Sequence, residues 1–234
     1  MGSINVNSID KESGSTLTLG GAGTTVAVHA SATTSGFDSG LASVQVFTSS
    51  GTWTKPSGIR LVMVEVQGAG GAGTKSTGSG NRNGGGGGGY ARKLIDVSSI
   101  STATVTVGAG GVGSTSNDTK GGNGGDSIWS DGTNTVTGSG GDAADTSGYK
   151  VGLGGSATGG DFNVSGGMGG SSLATSAGGG SFLGIVPYTQ YNASRAGGLD
   201  GILGTGGADI YSSYPSAAHG GNGGDGIVIV TEYK

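Results

Sequence analysis

The chain has 234 residues, of which 58 are glycine and 3 are proline; 32% are apolar, 11% are charged, and the formal net charge is −4. Glycine stands far above its background of about 7%, and the few prolines exclude collagen. The sparse, net-negative charge argues against a nucleic-acid partner, which needs a clustered basic footprint. With no cysteine there are neither disulfides nor thiolate metal sites. The opening Met1-Gly2-Ser3-Ile4-Asn5-Val6 lacks the basic-then-apolar order of a signal peptide. No apolar run approaches the ~20 residues of a spanning helix, so membrane insertion is not expected.

Residues 1–43 read as short β-segments. Leu17 and Leu19 share one face, Gly20-Gly21 makes a turn, and Val26 and Val28 share a face of the next segment. A lone hairpin is marginal in water, so this stretch is expected to wrap with copies of itself into a β-stranded oligomeric stem.

Residues 44–234 carry a second pattern. Strands are expected at 44–48, 51–56, 60–67, 90–97, 102–107 and 227–233. The run from Leu61 to Val66 suits the inside of a sheet. Phe47, Trp53 and Val62 to Val66 are the expected core. Apolar spacing at i, i+3, i+4 is absent and glycines interrupt every window, so no helix is expected. The fold class is all-β, with a β-sandwich-like domain carrying a glycine insert at 108–226.

In that insert Gly-Gly pairs recur at multiples of about three residues, the repeat of an extended left-handed helix. Such a helix has no internal hydrogen bonds. Its amides must pair with neighbouring segments, which the missing Cβ allows to come close. A polyglycine-II-type bundle is therefore the expected form of the insert. One motif occurs twice: Gly121-Gly122-Asn123-Gly124-Gly125-Asp126 returns as Gly220-Gly221-Asn222-Gly223-Gly224-Asp225, each copy leading into an apolar residue. Random linkers do not repeat so closely at distant places.

Several motifs mislead. Gly68-Ala-Gly70-Gly-Ala-Gly73 and Gly108-Ala-Gly110-Gly-Val-Gly113 fit a dinucleotide fingerprint, but loop sequence follows each where a helix is required. The twice-used motif fits a calcium nonapeptide, with Asp126 and Asp225 as candidate ligands, although the copies are not tandem. Asn117, Asn163 and Asn192 lie in sequons without a signal peptide. His29 and His219 lie in no metal-ligand spacing, and no Gly-x-Ser-x-Gly elbow has a plausible acid and base. We therefore expect no enzyme, no cofactor and no catalytic residue.

The succession Phe47, Gly51-Thr52-Trp53-Thr54-Lys55-Pro56, then Val62-Met63-Val64-Glu65-Val66-Gln67-Gly68, then Gly84 to Gly89 with Tyr90-Ala91-Arg92, then Val105-Thr106-Val107-Gly108, and finally Gly223 to Val230, resembles the glycine-rich domain of bacteriophage tail-fibre and tail-tip proteins. The resemblance covers about 45 to 234, and residues 14–21 are similar to the short β-segments near the attachment ends of such fibres. It implies a virion protein, made in the host cytoplasm and assembled as a homotrimer. Residues 1–43 would then meet other phage tail proteins, and loops on the glycine scaffold would meet a bacterial surface polysaccharide or outer-membrane protein. Aromatics beside polar groups suit that contact, which makes Tyr149, Phe162, Phe182, Tyr188, Tyr191, Arg195, Tyr211 and Tyr214 the candidate receptor-binding residues. The plain alternative for any of them is that it caps an end of the bundle. The alternative for the whole chain is a structural tail adaptor or plug without receptor binding.

Overall fold

A computed structural model describes residues 40–77, 82–146, 150–172, 176–185, 188–189, 198–212 and 219–234. The expected stem lies outside them except for residues 40–43. Chain contacts divide the protein into Met1–Asp38 and Ser39–Lys234, and the described residues all belong to the second unit.

Its strands are β1 (Leu41–Phe47), β2 (Gly51–Thr54), β3 (Leu61–Gln67), β4 (Lys75–Thr77), β5 (Arg82–Asn83), β6 (Tyr90–Asp96), β7 (Thr102–Thr106) and β8 (Ser127–Ser130). There follow β9 (Thr135–Gly138), β10 (Ala157–Thr158), β11 (Phe162–Val164), β12 (Ser171–Ser172), β13 (Ser176–Ala177), β14 (Tyr188–Thr189), β15 (Ile210–Ser212) and β16 (Ile227–Tyr233). No helix occurs among the described residues, so the all-β expectation holds. Two five-stranded antiparallel sheets dominate, in the orders β1-β16-β3-β6-β11 and β10-β9-β8-β7-β2. The six strands expected from the sequence are all present. β8, β9 and β10, inside the stretch 108–226, complete the second sheet, and β11 from the same stretch edges the first.

The core forms between these sheets because the side chains alternate. One sheet contributes Val62, Val64 and Val66 from β3, Val228 and Val230 from β16, and Ala91 and Ile95 from β6. The other contributes Trp53, Val105, Trp129 and Val136. The indoles of Trp53 and Trp129 stand 6.1 Å apart, and Phe47 packs at the margin. β3 is apolar on both faces in sequence, yet only its even-numbered positions are fully buried up to Val66; Leu61, Met63 and Glu65 are half-buried on the outer face.

Of the charged residues buried among the described ones, Lys75, Asp209 and Glu232, the last joins the two sheets. Glu232 is fully buried, and its carboxylate accepts the indole N–H of Trp53 at 2.7 Å, the Gln45 side-chain amide at 2.7 Å and the Ser43 hydroxyl. These bonds tie β1, β16 and β2 together across both sheets. A buried carboxylate without partners is costly, so the ring of donors is what permits it.

Glycine segments leave the sheets and return to them. Residues 68–74 follow β3 outward and 84–89 return to β6; 108–114 and 121–126 do the same between β7 and β8, and 139–145 and 150–156 between β9 and β10. Two runs fix the pattern. The amides of Gly68, Gly71 and Thr74 donate to the carbonyls of Gly89, Gly86 and Asn83, those of Ala69 and Ala72 to Gly125 and Gly122, and those of Gly70 and Gly73 to Gly224 and Gly221. Each neighbour is thus met once every three residues. In 84–89 the donors step likewise: Gly84 and Gly87 to Gly170 and Gly167, Gly85 and Gly88 to Gly207 and Gly204, Gly86 and Gly89 to Asp142 and Ser139. The carbonyls of Gly84 and Gly87 accept from Gly152 and Gly155, that of Gly85 from Gly179, and those of Gly86 and Gly89 from Gly71 and Gly68. Segment 84–89 is therefore surrounded on every side by backbone.

Net, each such bond contributes about 1 kcal/mol, but an amide buried without a partner costs about 1–3 kcal/mol. Complete pairing, rather than side-chain burial, decides whether this part of the chain folds. The glycine segments on the two sides of residue 108 form one bonded array, since 68–73 pair with 121–125 and 220–224.

Candidate functional site

The twice-used motif has a definite role at the edge of the array. In segment 139–145 the amides of Ser139, Asp142 and Asp145 donate to Ser156, Leu153 and Lys150, and those of Gly141 and Ala144 to Ala69 and Ala72. The third row, Gly140 and Ala143, meets side chains instead: Asp126 Oδ1 accepts from Gly140 at 2.9 Å, and Asn123 Oδ1 accepts from Ala143 at 2.9 Å. The second copy repeats the arrangement, with Asp225 Oδ1 on the Gly110 amide at 2.7 Å and Asn222 Oδ1 on the Gly113 amide at 2.7 Å. A spacing of three brings Asn and Asp to the same side, where they stand in for absent backbone carbonyls. The calcium candidates Asp126 and Asp225 thus each commit an oxygen to an amide. No group of three His, Cys, Asp or Glu meets in a metal-holding arrangement among the described residues.

Two candidate receptor-binding residues come together. Phe162, at the start of edge strand β11, and Phe182 flank Tyr90, the first residue of β6. Phe182 stacks on Tyr90 with centroids 4.2 Å apart and planes at 22°. Phe162 is steeply inclined to both rings, at 70° and 6.3 Å to Tyr90 and at 68° and 5.9 Å to Phe182. The Arg92 guanidinium lies 5.6 Å from the Phe162 centroid, a cation–π contact worth about 0.5–1 kcal/mol at an exposed position. Phe162 is 42% and Phe182 53% exposed, whereas Tyr90 is buried and donates its hydroxyl to Glu65. Burial above all, and then the bond to Glu65, pushes the Tyr90 phenol well above its ordinary ionisation range.

The loop carrying Phe182 is held by Gln67, the last residue of β3, which is fully buried. Its side-chain amide donates to the carbonyls of Gly88 at 2.9 Å and Gly89 at 3.1 Å, while its oxygen accepts the amide of Phe182 at 3.1 Å. Ser181 adds a bond from its hydroxyl to the Leu203 carbonyl at 2.6 Å. Phe182 is thereby fixed where the glycine array meets the sheets, beside Phe162.

The remaining candidates are scattered. The backbone of Tyr188 pairs with Ala177 in β13, and that of Tyr211 pairs with Ser76 in the parallel contact between β15 and β4. Tyr149, Tyr191, Arg195 and Tyr214 lie outside the described residues. Sequence reasoning missed Tyr90, Arg92 and Gln67. The available signal was local: a long polar side chain immediately before a glycine run, and an aromatic and a cation on one face of the strand after the next run.

The family model described as a glycine-rich domain matches residues 43–233. The chain belongs to the glycine-rich domain family. That match takes in both sheets and the whole bonded array of the glycine-rich domain. No curated protein matches the chain.

The array also sets directions. Outgoing segments 68–74, 108–114 and 139–145 run side by side, because Gly70 accepts from Gly111 while Ala69 and Ala72 accept from Gly141 and Ala144 in parallel register. The returning segments pair with them in antiparallel register. Among the described residues the outgoing and returning segments therefore have their far ends together, at 74 and 84, 114 and 121, 145 and 150, 170 and 176, and 208 and 220.

Proposed function

We propose that the glycine-rich domain belongs to a bacteriophage tail-fibre or tail-tip protein that recognises the bacterial surface. In this reading the chain is a homotrimer assembled through residues 1–43, which also meet other tail proteins, and it acts in the virion by binding rather than by catalysis. The bonded array is a polyglycine-II-type bundle. Its partner is a surface polysaccharide or outer-membrane protein.

The observation that carries this reading is the three-residue hydrogen-bond ladder around Gly84 to Gly89. Pairing of this kind makes a rigid support without a side-chain core, so the turns at its far end can vary in sequence while the support stays unchanged. Such a division suits recognition of variable surfaces. Three linked copies then raise the effective concentration for each later contact, and weak single contacts suffice to hold a particle.

The test is binding of the purified, labelled full chain to a panel of bacterial strains, with protease-treated and polysaccharide-stripped cells alongside. Saturable binding to some strains, removed by one of the two treatments, is the expected result. Absence of binding to every strain, together with co-sedimentation with phage tail proteins, would instead make the chain a structural adaptor.

A further inference from the structure

We infer that the far end of the array carries a subsite for a neutral pyranose saccharide, built on the paired segments 139–145 and 150–156; this rests on the recognition reading above. A cavity of about 400 Å³ opens there, lined by Lys120, Asp142, Asp145, Lys150, Val151 and Leu153. That volume falls in the range of about 300–1,000 Å³ usual for small-molecule sites.

The walls are set by the ladder. Ser139 donates to Ser156 at 2.8 Å, Asp142 to Leu153 at 2.9 Å and Asp145 to Lys150 at 2.9 Å. A three-residue repeat places Asp142 and Asp145 in one line, with Leu153 and Lys150 opposite them. Asp142 is held further by the Asn123 side-chain amide at 3.2 Å, and Asn123 is itself fixed by the Ala143 amide. The backbone walls and Asp142 are thus in place before a ligand arrives, which lowers the cost of binding at that side.

The lining selects the ligand. Two carboxylates and two ammonium groups leave no net charge, so a strongly anionic or cationic ligand meets as much repulsion as attraction. A wholly apolar ligand would strip water from the four charges without replacing its hydrogen bonds. Hydroxyl groups satisfy both signs, donating to Asp142 and Asp145 and accepting from Lys120 and Lys150. The ion pair between Lys150 and Asp145 is loose, at 3.9 Å with side chains 70% and 40% exposed, so water already competes for it. Leu153, 55% exposed, and Val151 beside it supply an apolar strip for the C–H face of a sugar ring.

Amide NMR spectra of the full chain, titrated with glucose, galactose and N-acetylglucosamine, test the subsite. N-acetylneuraminic acid, glucosamine and glycylglycine serve as charged and zwitterionic comparisons. At least one neutral sugar is expected to move the amide signals of residues 142–145 and 150–153, and the Asp145→Asn, Lys150→Gln double variant to bind it about tenfold more weakly, the scale of one lost charge-assisted hydrogen bond. Unchanged signals elsewhere report that the variant folds. The subsite is overturned if only the charged or zwitterionic probes act, if the shifts fall elsewhere, or if the double variant binds the sugar as the parent does. Should no sugar act while parent and double variant bind cells equally, the subsite falls and the recognition reading stands. Should neither bind cells, both fall.

Discussion

A Cβ added to Gly86 would stand 1.9 Å from the carbonyl oxygen of Leu153, well inside any tolerable contact. Its neighbours are as tight, at 2.1 Å from Gly71 for Gly85 and 2.1 Å from Gly180 for Gly87. At Gly170 the same addition meets nothing closer than 3.4 Å. Gly86→Ala is therefore expected to cost about 3 kcal/mol or more, because backbone on every side leaves no room to shift. Gly170→Ala should stay within about 0.5 kcal/mol, as at an ordinary surface position. Thermal unfolding of the two variants checks the contrast.

The carboxylates of Asp126 and Asp225 hold equivalent edges of the array. Asp126→Ala and Asp225→Ala are each expected to cost about 1 kcal/mol, since water partly replaces the lost acceptor on an exposed amide. The two sites share no partner, so the double variant should lose the sum. Urea midpoints measure this. Millimolar calcium should leave the parent midpoint where it is, because both side chains are already engaged with amides.

Glu232→Gln keeps the shape of the side chain but turns an N–H2 group toward donors. At least one of the Trp53, Gln45 and Ser43 groups then loses its acceptor, for a cost of roughly 1–3 kcal/mol. A lower unfolding temperature with altered indole emission is the expected result. An unchanged emission spectrum would mean that Trp53 does not depend on this carboxylate.

Asp131 closes the turn between β8 and β9. Burial works to raise its pKa, but the Asn134 amide at 2.6 Å, the Asn134 side chain at 3.0 Å and the Thr133 amide at 2.7 Å outweigh it, holding the carboxyl below its ordinary value of 3.8. A depressed folded-state pKa contributes stability above the unfolded value, and that contribution is lost as pH falls through the folded one. The gap in unfolding temperature between the parent and Asp131→Ala should be full near pH 6 and shrink as the medium is acidified below about pH 4.

Much of the sheet architecture was legible because its strands are β-branched and alternate, as in 61–67 and 227–233. β8 and β9 were hidden, since each has four residues and they stand between glycine runs that masked them. The three-residue repeat of the glycines was legible too, and its reason is now plain. Segment 84–89 is all glycine because backbone surrounds it, whereas 121–126 has Asn123 and Asp126 at the one side that faces an edge. Which segment adjoins which was not legible, because glycine has no side chain with which to specify a neighbour. The meeting of Phe182 with Tyr90 was equally hidden; it depends on Gln67 bridging two loops far apart in sequence.

The central segment draws partners from the whole length of the unit: Gly70 binds Gly224, and β3 lies directly against β16. Neither the array nor the first sheet can close until residues 220–233 are in place. Folding of the unit is consequently slow, dominated by distant pairings. β16 joins β1 to β3, so removal of that one strand would leave both of them without their shared neighbour and the unit unable to close.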